Sequence, residues 1–206
     1  MDYITNYLGF IGAVIILSLT PGSDTIFILT KSIAGGYRQG FASVAGIVCG
    51  LFVHTALAAF GLSVILMTSS LLFNIVKIAG AAYLIYLGIM AIKSKSNIMI
   101  SSEKSLSSLK KTFRQGLFTN ILNPKVALFF LALLPQFVKS DALTPVPFLI
   151  LGFTFIVIGT IWSLFLVAAS SYISTALRTS KFSTYLNKIS GIIFVALGLN
   201  ILRIKN

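Results

Sequence analysis

A single carboxylate lies deep within the apolar part of this sequence. Asp24 is inside a long apolar run, whereas the other three acids, Asp2, Glu103 and Asp141, lie at or beyond the ends of such runs. A lone carboxylate in a bilayer costs about 3 kcal/mol and is by default a functional candidate. We therefore expect Asp24 to carry protons or to pair with a substrate ammonium group. The alternative is that Asp24 only caps a helix at the membrane interface, a common use of Asp after a Pro-Gly turn.

The residues just before Asp24 predict a broken helix. Proline removes a backbone N–H group and glycine frees the backbone to bend, so the helix stops and restarts. Irregular backbone at membrane depth is tolerated only where it is buried in protein or lines a watery cavity. The restarted helix, with Ser23 or Asp24 as its N-cap, would point free N–H groups into that cavity and offer a seat for a substrate carboxylate. The predicted break consists of Thr20, Pro21, Gly22 and Ser23.

A second proline break carries two amides and a lysine. Asn120 and Asn123 are spaced i, i+3 and share a helix face, where their amides can bind substrate or unpaired carbonyls. Pro124 follows, and Lys125 stands in the middle of an apolar run. If the two breaks meet, Lys125 either pairs with Asp24 or binds the opposite end of a zwitterion. The alternative is that the aliphatic part of the Lys125 side chain lies along apolar surface while its ammonium group reaches the membrane interface.

The only histidine belongs to a stripe of small residues. Ala42, Gly46, Gly50, His54 and Ala58 recur at i, i+4 spacing. Small residues at this spacing let another helix approach closely, either within the chain or across a homodimer. His54 is a candidate for a proton relay, although a lone intramembrane histidine is more often packed and hydrogen-bonded.

Composition requires a membrane. The chain has 206 residues, of which 57% are hydrophobic and 10% charged, with a mean hydropathy of +0.99. A soluble domain has roughly 25% charged residues. The net charge of +12 raises the possibility of nucleic acid, but the basic residues cluster between apolar runs and therefore indicate a membrane.

The supply of reactive residues argues against enzymatic chemistry. With one cysteine, one histidine and four acids, neither a metal site nor a paired-carboxylate or Ser-His-Asp site can be assembled, and there is no phosphate loop. We therefore predict no catalytic site, no cofactor and no metal.

The hydropathy pattern predicts an all-α polytopic protein with six transmembrane segments, at about 4–33, 41–67, 71–92, 113–138, 146–171 and 184–204. A basic, Ser-rich linker at 93–112 separates a first half, 1–92, from a second half, 113–206. KIAG at 77–80 recurs as KISG at 188–191, and each half begins with a proline-broken segment. A repeat of three spans must insert its second copy upside down, so we predict two inverted three-helix repeats.

The distribution of Lys and Arg predicts the orientation. With six spans, one face receives four basic residues and the other receives eleven: Lys31, Arg38, Lys93, Lys95, Lys104, Lys110, Lys111, Arg114, Arg178, Lys181 and Lys188. The face with eleven is expected to be cytoplasmic, and both termini are then outside. The linker there either contacts anionic lipid through its lysines or serves only as the positive-inside anchor. If only five segments cross, the N-terminus is inside.

These motifs resemble the lysine-exporter superfamily (LysE/RhtB type) of small bacterial membrane exporters. The resemblance rests on PGSDTIFIL at 21–29, RQGFASVAGIVCG at 38–50, AGAAYLIYLGIMAIKS at 79–94 and GLFTNILNPKVALFFLALLPQF at 116–137. The family motif commonly reads PGPD, whereas this chain has Ser23 at the third position.

The resemblance implies efflux of a small amino acid across the inner membrane, driven by the proton motive force. Because Asp24 is the only membrane acid and Lys125 lies near it in the pattern, a neutral substrate similar to threonine, homoserine or leucine is favoured over lysine or arginine. A cationic amino acid, another small solute, or a channel of the same fold are the alternatives.

Overall fold

The computed structural model describes residues 3–68, 70–93, 108–139, 143–170 and 180–203, and this part of the chain is helical and contains no strand. Ile4 and Val138 form one isolated antiparallel bridge. The helices are α1 (Tyr7–Leu19), α2 (Ser23–Ala56), α3 (Ser63–Thr68), α4 (Ser70–Lys93), α5 (Leu109–Ile121), α6 (Pro124–Leu128), α7 (Pro145–Ala168) and α8 (Ser180–Arg203). A π-helix, Leu57–Leu62, joins α2 to α3, and a second π-helix, Phe129–Leu133, followed by a 3-10 turn, Leu134–Phe137, continues α6.

Both predicted breaks are present. Break one is the connection at 20–22 between α1 and α2, and break two is the connection at 122–123 between α5 and α6. At break two the chain bends by 43° between Leu109–Ile121 and Pro124–Phe137. Proline interrupts the backbone ladder at each place because it has no N–H group to donate.

The long second helix contains a sharp kink. Gly36 has φ 69° and ψ −169° inside α2, a conformation that only glycine adopts without strain. The predicted transmembrane segments 4–33 and 41–67 require a turn between them. The structure has its kink at Gly36, between these two segments.

Several elements are long and apolar enough to cross a membrane. Among the described residues these are Ser23–Leu66 and Pro145–Ala168, with the bent pair at break two as a third. Tyr7–Leu19 and Ile78–Lys93 are shorter apolar helices. Together with the composition, these helices make the chain a multi-pass membrane protein.

The two broken helices run antiparallel to each other. Near the start of α1, the Thr5 amide donates to the Phe137 carbonyl at 2.8 Å, and the Lys139 amide donates to the Tyr3 carbonyl at 3.0 Å. Near its end, Leu17 accepts a hydrogen bond from Lys125. The segment from α6 to the 3-10 turn therefore follows α1 in the opposite direction and brings the two breaks together.

The small-residue stripe of α2 packs within the chain. A Cβ atom added to Gly46 would collide with the Phe113 carbonyl, and one added to Gly50 would lie 2.5 Å from Asn120 Oδ1. Both contacts are with α5, so internal packing, one of the two predicted uses of this stripe, is the one that the structure contains.

Helices α4 and α8 cross at glycines. A Cβ atom added to Gly88 would lie 2.6 Å from the Gly191 carbonyl oxygen, and one added to Gly198 would lie 2.8 Å from the Ala81 carbonyl oxygen. As residue numbers rise along α4 they fall along α8, so the two helices are antiparallel.

Some predicted features lie outside the described residues. They are most of the linker, at 94–107, with Lys95 and Lys104, and residues 171–179 with Arg178. Helix α5 begins at Leu109, where the Lys111 amide donates to Ser108 Oγ at 3.3 Å, so Lys110 and Lys111 belong to a helix.

Candidate functional site

The Lys125 side chain reaches from break two to break one and binds backbone carbonyls there. Its Nζ atom donates to the carbonyls of Leu17 at 2.6 Å and Thr20 at 2.7 Å. In a continuous helix the Leu17 carbonyl would accept from residue 21, but Pro21 has no N–H group. The lysine ammonium therefore replaces a donor that the proline removes.

The expected ion pair between Lys125 and Asp24 is not formed. Asp24 instead accepts from Asn120, whose Nδ2 atom lies 2.8 Å from Asp24 Oδ2. Break one thus receives two side chains, Lys125 and Asn120, from the second half of the chain, so the two breaks meet. Of the two arrangements considered for Lys125, the direct pair with Asp24 is absent, because backbone carbonyls bind the ammonium group.

The backbone carbonyl of Asn120 accepts two hydrogen bonds. These come from the Asn123 amide at 3.0 Å and from His54 Nε2 at 3.2 Å. The His54 ring stacks on Phe130, with ring centroids 5.6 Å apart. His54 therefore lies behind Asn120, packed and hydrogen-bonded, and fixes the residue that contacts Asp24.

The two helices that restart after the breaks are capped differently. Gly22 is the N-cap of α2 and supplies no side-chain hydrogen bond, so the expectation that Ser23 or Asp24 is the N-cap is wrong. Asp24 is the second residue of α2, and its side chain accepts a hydrogen bond from Asn120. In contrast, Asn123 caps α6, because its Oδ1 atom accepts from the Lys125 amide at 3.0 Å.

A cavity of about 50 Å³ lies where the breaks meet. Such a volume holds a few water molecules. Five predicted site residues line it, and helix α7 closes the opposite wall. These five are Gly22, Asp24, Asn120, Asn123 and Lys125, and the α7 residues are Phe155, Gly159, Trp162, Ser163 and Leu166.

Three buried polar atoms that belong to this cavity's lining residues have no hydrogen-bond partner among the described residues. They are Asp24 Oδ1, Asn120 Oδ1 and Trp162 Nε1. The first two accept hydrogen bonds and the indole group donates one. Buried polar groups are nearly always paired, so these atoms are open to hydrogen bonds from water or a polar ligand.

The other predicted site residues lie around this cavity. Thr20 contributes its carbonyl to Lys125, and Pro21 lies in the connection itself. Ser23 is exposed. With Asn123 and Pro124 it lines a second, open cleft, which also contains Lys110 and Lys111.

Sequence reasoning did not assign the wall formed by α7. Trp162 and Phe155 belong to a helix that is apolar on all sides, and nothing in their spacing separates a cavity wall from ordinary packing. Only the position of α7 against break one identifies them.

The chain is similar to known membrane proteins over most of its length. The sequence profile of the LysE type translocators matches residues 15–204. The chain is 34% identical over 203 residues to the uncharacterized membrane protein YrhP of Bacillus subtilis, covering 94% of this chain and 97% of that protein.

Two further relatives have names that state a substrate. The homoserine/homoserine lactone efflux protein of Salmonella typhimurium is 37% identical over 183 residues, which is 89% of each chain. The leucine efflux protein of Klebsiella pneumoniae is 32% identical over 197 residues, which is 93% of this chain and 92% of that protein. No solved structure matches the chain.

Proposed function

The chain belongs to the LysE type translocator family, and from that premise we propose that it exports a small neutral amino acid from the cytoplasm across the inner membrane. Members of this family are translocators, so the chain is a transporter and not an enzyme. The proposal rests above all on one observation, the meeting of two broken helices around Asp24.

The polar atoms of the cavity match an amino acid. A substrate ammonium group, with its three donors, would bind Asp24 Oδ1 and Asn120 Oδ1, which have no partner among the described residues. The carboxylate would bind at the first turn of α2, where no side chain caps the backbone N–H groups. The two charged ends of the substrate would thus lie beside break one.

A neutral side chain suits the remaining wall. Ile28, Ile47, Leu51 and Phe155 line the cavity beyond the breaks, so a second charge on the substrate would be poorly compensated there. Relatives named for homoserine and for leucine efflux agree with this chemistry. A cationic amino acid remains the alternative substrate.

Proton antiport would use the same carboxylate. In the proposed cycle Asp24 releases its proton when the ammonium group binds and takes up another after the substrate leaves. The cavity has room only for a few water molecules. In the proposed cycle the cavity walls therefore separate, first toward the cytoplasm to admit substrate and then toward the outside to release it.

Six crossings in two inverted repeats fit the helix lengths. The 44-residue element Ser23–Leu66 would be about 66 Å long as one straight helix, twice the hydrocarbon thickness of about 30 Å. The kink at Gly36 would divide it, ending the first segment and beginning the second.

The glycine contacts of α4 and α8 support the repeat. These contacts, Gly88 with Gly191 and Ala81 with Gly198, hold the third helix of the first half antiparallel to the third helix of the second half. An axis in the membrane plane would relate them. A homodimer would need a surface other than the Gly46–Gly50 stripe, which α5 covers.

Transport assays in inside-out vesicles test the proposed function. We expect uptake of homoserine, threonine or leucine that increases when the vesicle interior is made acidic and that fails when the gradient is dissipated. Transport that follows only the amino-acid gradient would favour a channel of the same fold. Movement of lysine and arginine alone would favour the cationic alternative.

A further inference from the structure

Trp162 carries a buried hydrogen-bond donor, its indole N–H group. Its Nε1 atom has no partner among the described residues, while the ring lies 5.4 Å from the ring of Phe165 and packs against a cluster that includes Ile28 and Ile47. Buried tryptophan N–H groups usually find a partner. An unpaired one in a cavity wall therefore points to a ligand atom.

Trp162 faces the same cavity as Asp24. Ile28, against whose cluster Trp162 packs, follows Asp24 by four residues on α2, which corresponds to about 6 Å along the helix axis. Trp162, Ile28 and Asp24 all line the same cavity. An amino acid held by its ammonium group at Asp24 would extend its side chain over this distance.

The chemistry of the indole group restricts what it can select. An indole N–H only donates, so its partner must be an acceptor such as a hydroxyl or carbonyl oxygen. Apolar side chains, among them Ile47, Leu51 and Phe155, line the same cavity. A purely aliphatic side chain would leave the donor unpaired, and a side chain with one oxygen would satisfy it.

We infer that Trp162 is a specificity-determining residue whose indole N–H binds an oxygen atom on the side chain of the exported amino acid. This inference rests on the proposed function, because it takes the ammonium and carboxylate groups of the substrate to lie at break one. It favours hydroxylated amino acids over aliphatic amino acids of the same size.

Two nearly isosteric amino acids test the inference. Homoserine has a hydroxyl group where norvaline has a methyl group, so the pair isolates the oxygen atom. In proteoliposomes the wild-type protein is expected to prefer homoserine by about tenfold in kcat/KM. The variant Trp162→Phe, which removes the N–H and keeps an aromatic ring, should lose this preference and transport norvaline as the wild type does.

The possible results separate the inference from the proposed function. If Trp162→Phe retains the wild-type ratio of homoserine to norvaline, or if both substrates lose activity equally, Trp162 does not read the side-chain oxygen. If the wild type transports neither amino acid nor any other of the panel, the proposed function itself fails and the inference fails with it.

A binding measurement on the unmodified protein does not depend on the variant folding. Trp162 is the single tryptophan of the chain, so its intrinsic fluorescence reports on this site alone. We expect homoserine, added to the protein in proteoliposomes, to shift the emission through the new hydrogen bond, and norvaline to bind more weakly without that shift. Equal spectral responses to the two amino acids would overturn the inference.

Discussion

The two helix breaks are similar in sequence but are completed in different ways. Break two is closed by its own residue, since Asn123 caps the helix that follows it. Break one cannot close itself, because Pro21 has no N–H group and Gly22 has no side chain. Its free carbonyls are bound by Lys125 instead, and the first turn of α2 has no side-chain cap.

This difference assigns different tasks to the two halves of the chain. Break two serves as a scaffold whose side chains, Asn120 and Lys125, reach out to break one. Break one keeps a carboxylate oxygen, Asp24 Oδ1, without a partner among the described residues, and its helix has no side-chain cap. The substrate site that we propose needs groups that the protein itself leaves unpaired, such as Asp24 Oδ1 beside break one.

Removal of Lys125 should have the largest effect on stability. Lys125→Met leaves two carbonyls of break one without their donor, and a buried unpaired polar group costs about 1 to 3 kcal/mol. We expect a loss of about 2 to 5 kcal/mol and little transport. The measurement is the thermal unfolding midpoint in detergent.

Lys111→Met is the matched control for this change, because Lys111 is exposed on α5 and its removal should leave the midpoint nearly unchanged. Equal midpoints for the two variants would mean that break one does not depend on Lys125.

Loss of the contact between the two breaks should have the next largest effect. Asn120→Leu keeps the side-chain volume and removes the hydrogen bond to Asp24 Oδ2, at an expected cost of about 2 kcal/mol. A double-mutant cycle with Asp24→Leu isolates the pair, and its effects on unfolding should be non-additive by about 1 kcal/mol or more. Additive effects would show that the two residues do not stabilise each other.

The cap of break two should contribute less. Asn123→Ala removes the bond to the Lys125 amide, and loss of an N-cap typically costs about 1 kcal/mol. Because Lys125 must still reach break one, we also expect transport to fall. Ser108→Ala removes the cap of α5, away from the site, and should lower the unfolding midpoint without reducing transport. A transport loss of the same size in both variants would contradict a special role for Asn123.

An added cap at break one should change stability least. Gly22→Ser offers the first turn of α2 a hydroxyl acceptor, worth a few tenths of a kcal/mol, and the new Cβ atom would lie 3.5 Å from Lys125 Nζ, an ordinary contact. If a substrate carboxylate uses the same N–H groups, its KM should rise severalfold.

Gly12→Ser is the control, since a Cβ atom there meets nothing within 4 Å. An unchanged KM in Gly22→Ser would mean that the substrate carboxylate binds elsewhere.

The sequence was sufficient to predict both breaks, because proline and glycine act on the backbone locally. It also led to Asp24, Asn120, Asn123 and Lys125, which the structure brings to one cavity, and to the family, which the comparisons confirm.

The partners of these residues could not be predicted. Lys125 binds backbone carbonyls, and acceptors of this kind are present at every position of a sequence. The predicted N-cap was wrong because the side chain of Asp24 is drawn to Asn120, which lies far away in the chain. Trp162 was missed because only the packing of α7 against break one makes its N–H group part of a cavity.

The most direct test of the shared site measures amino-acid and proton movement in the same proteoliposomes. With homoserine placed on one side, the wild-type protein should move it down its gradient and drive protons in the opposite direction, as a pH-sensitive dye inside the vesicles reports. Asp24→Asn keeps an oxygen for the bond from Asn120, so we expect it to fold with a similar midpoint and to lose both fluxes. If Asp24→Asn moves homoserine and protons as the wild type does, Asp24 is not the centre of the transport site.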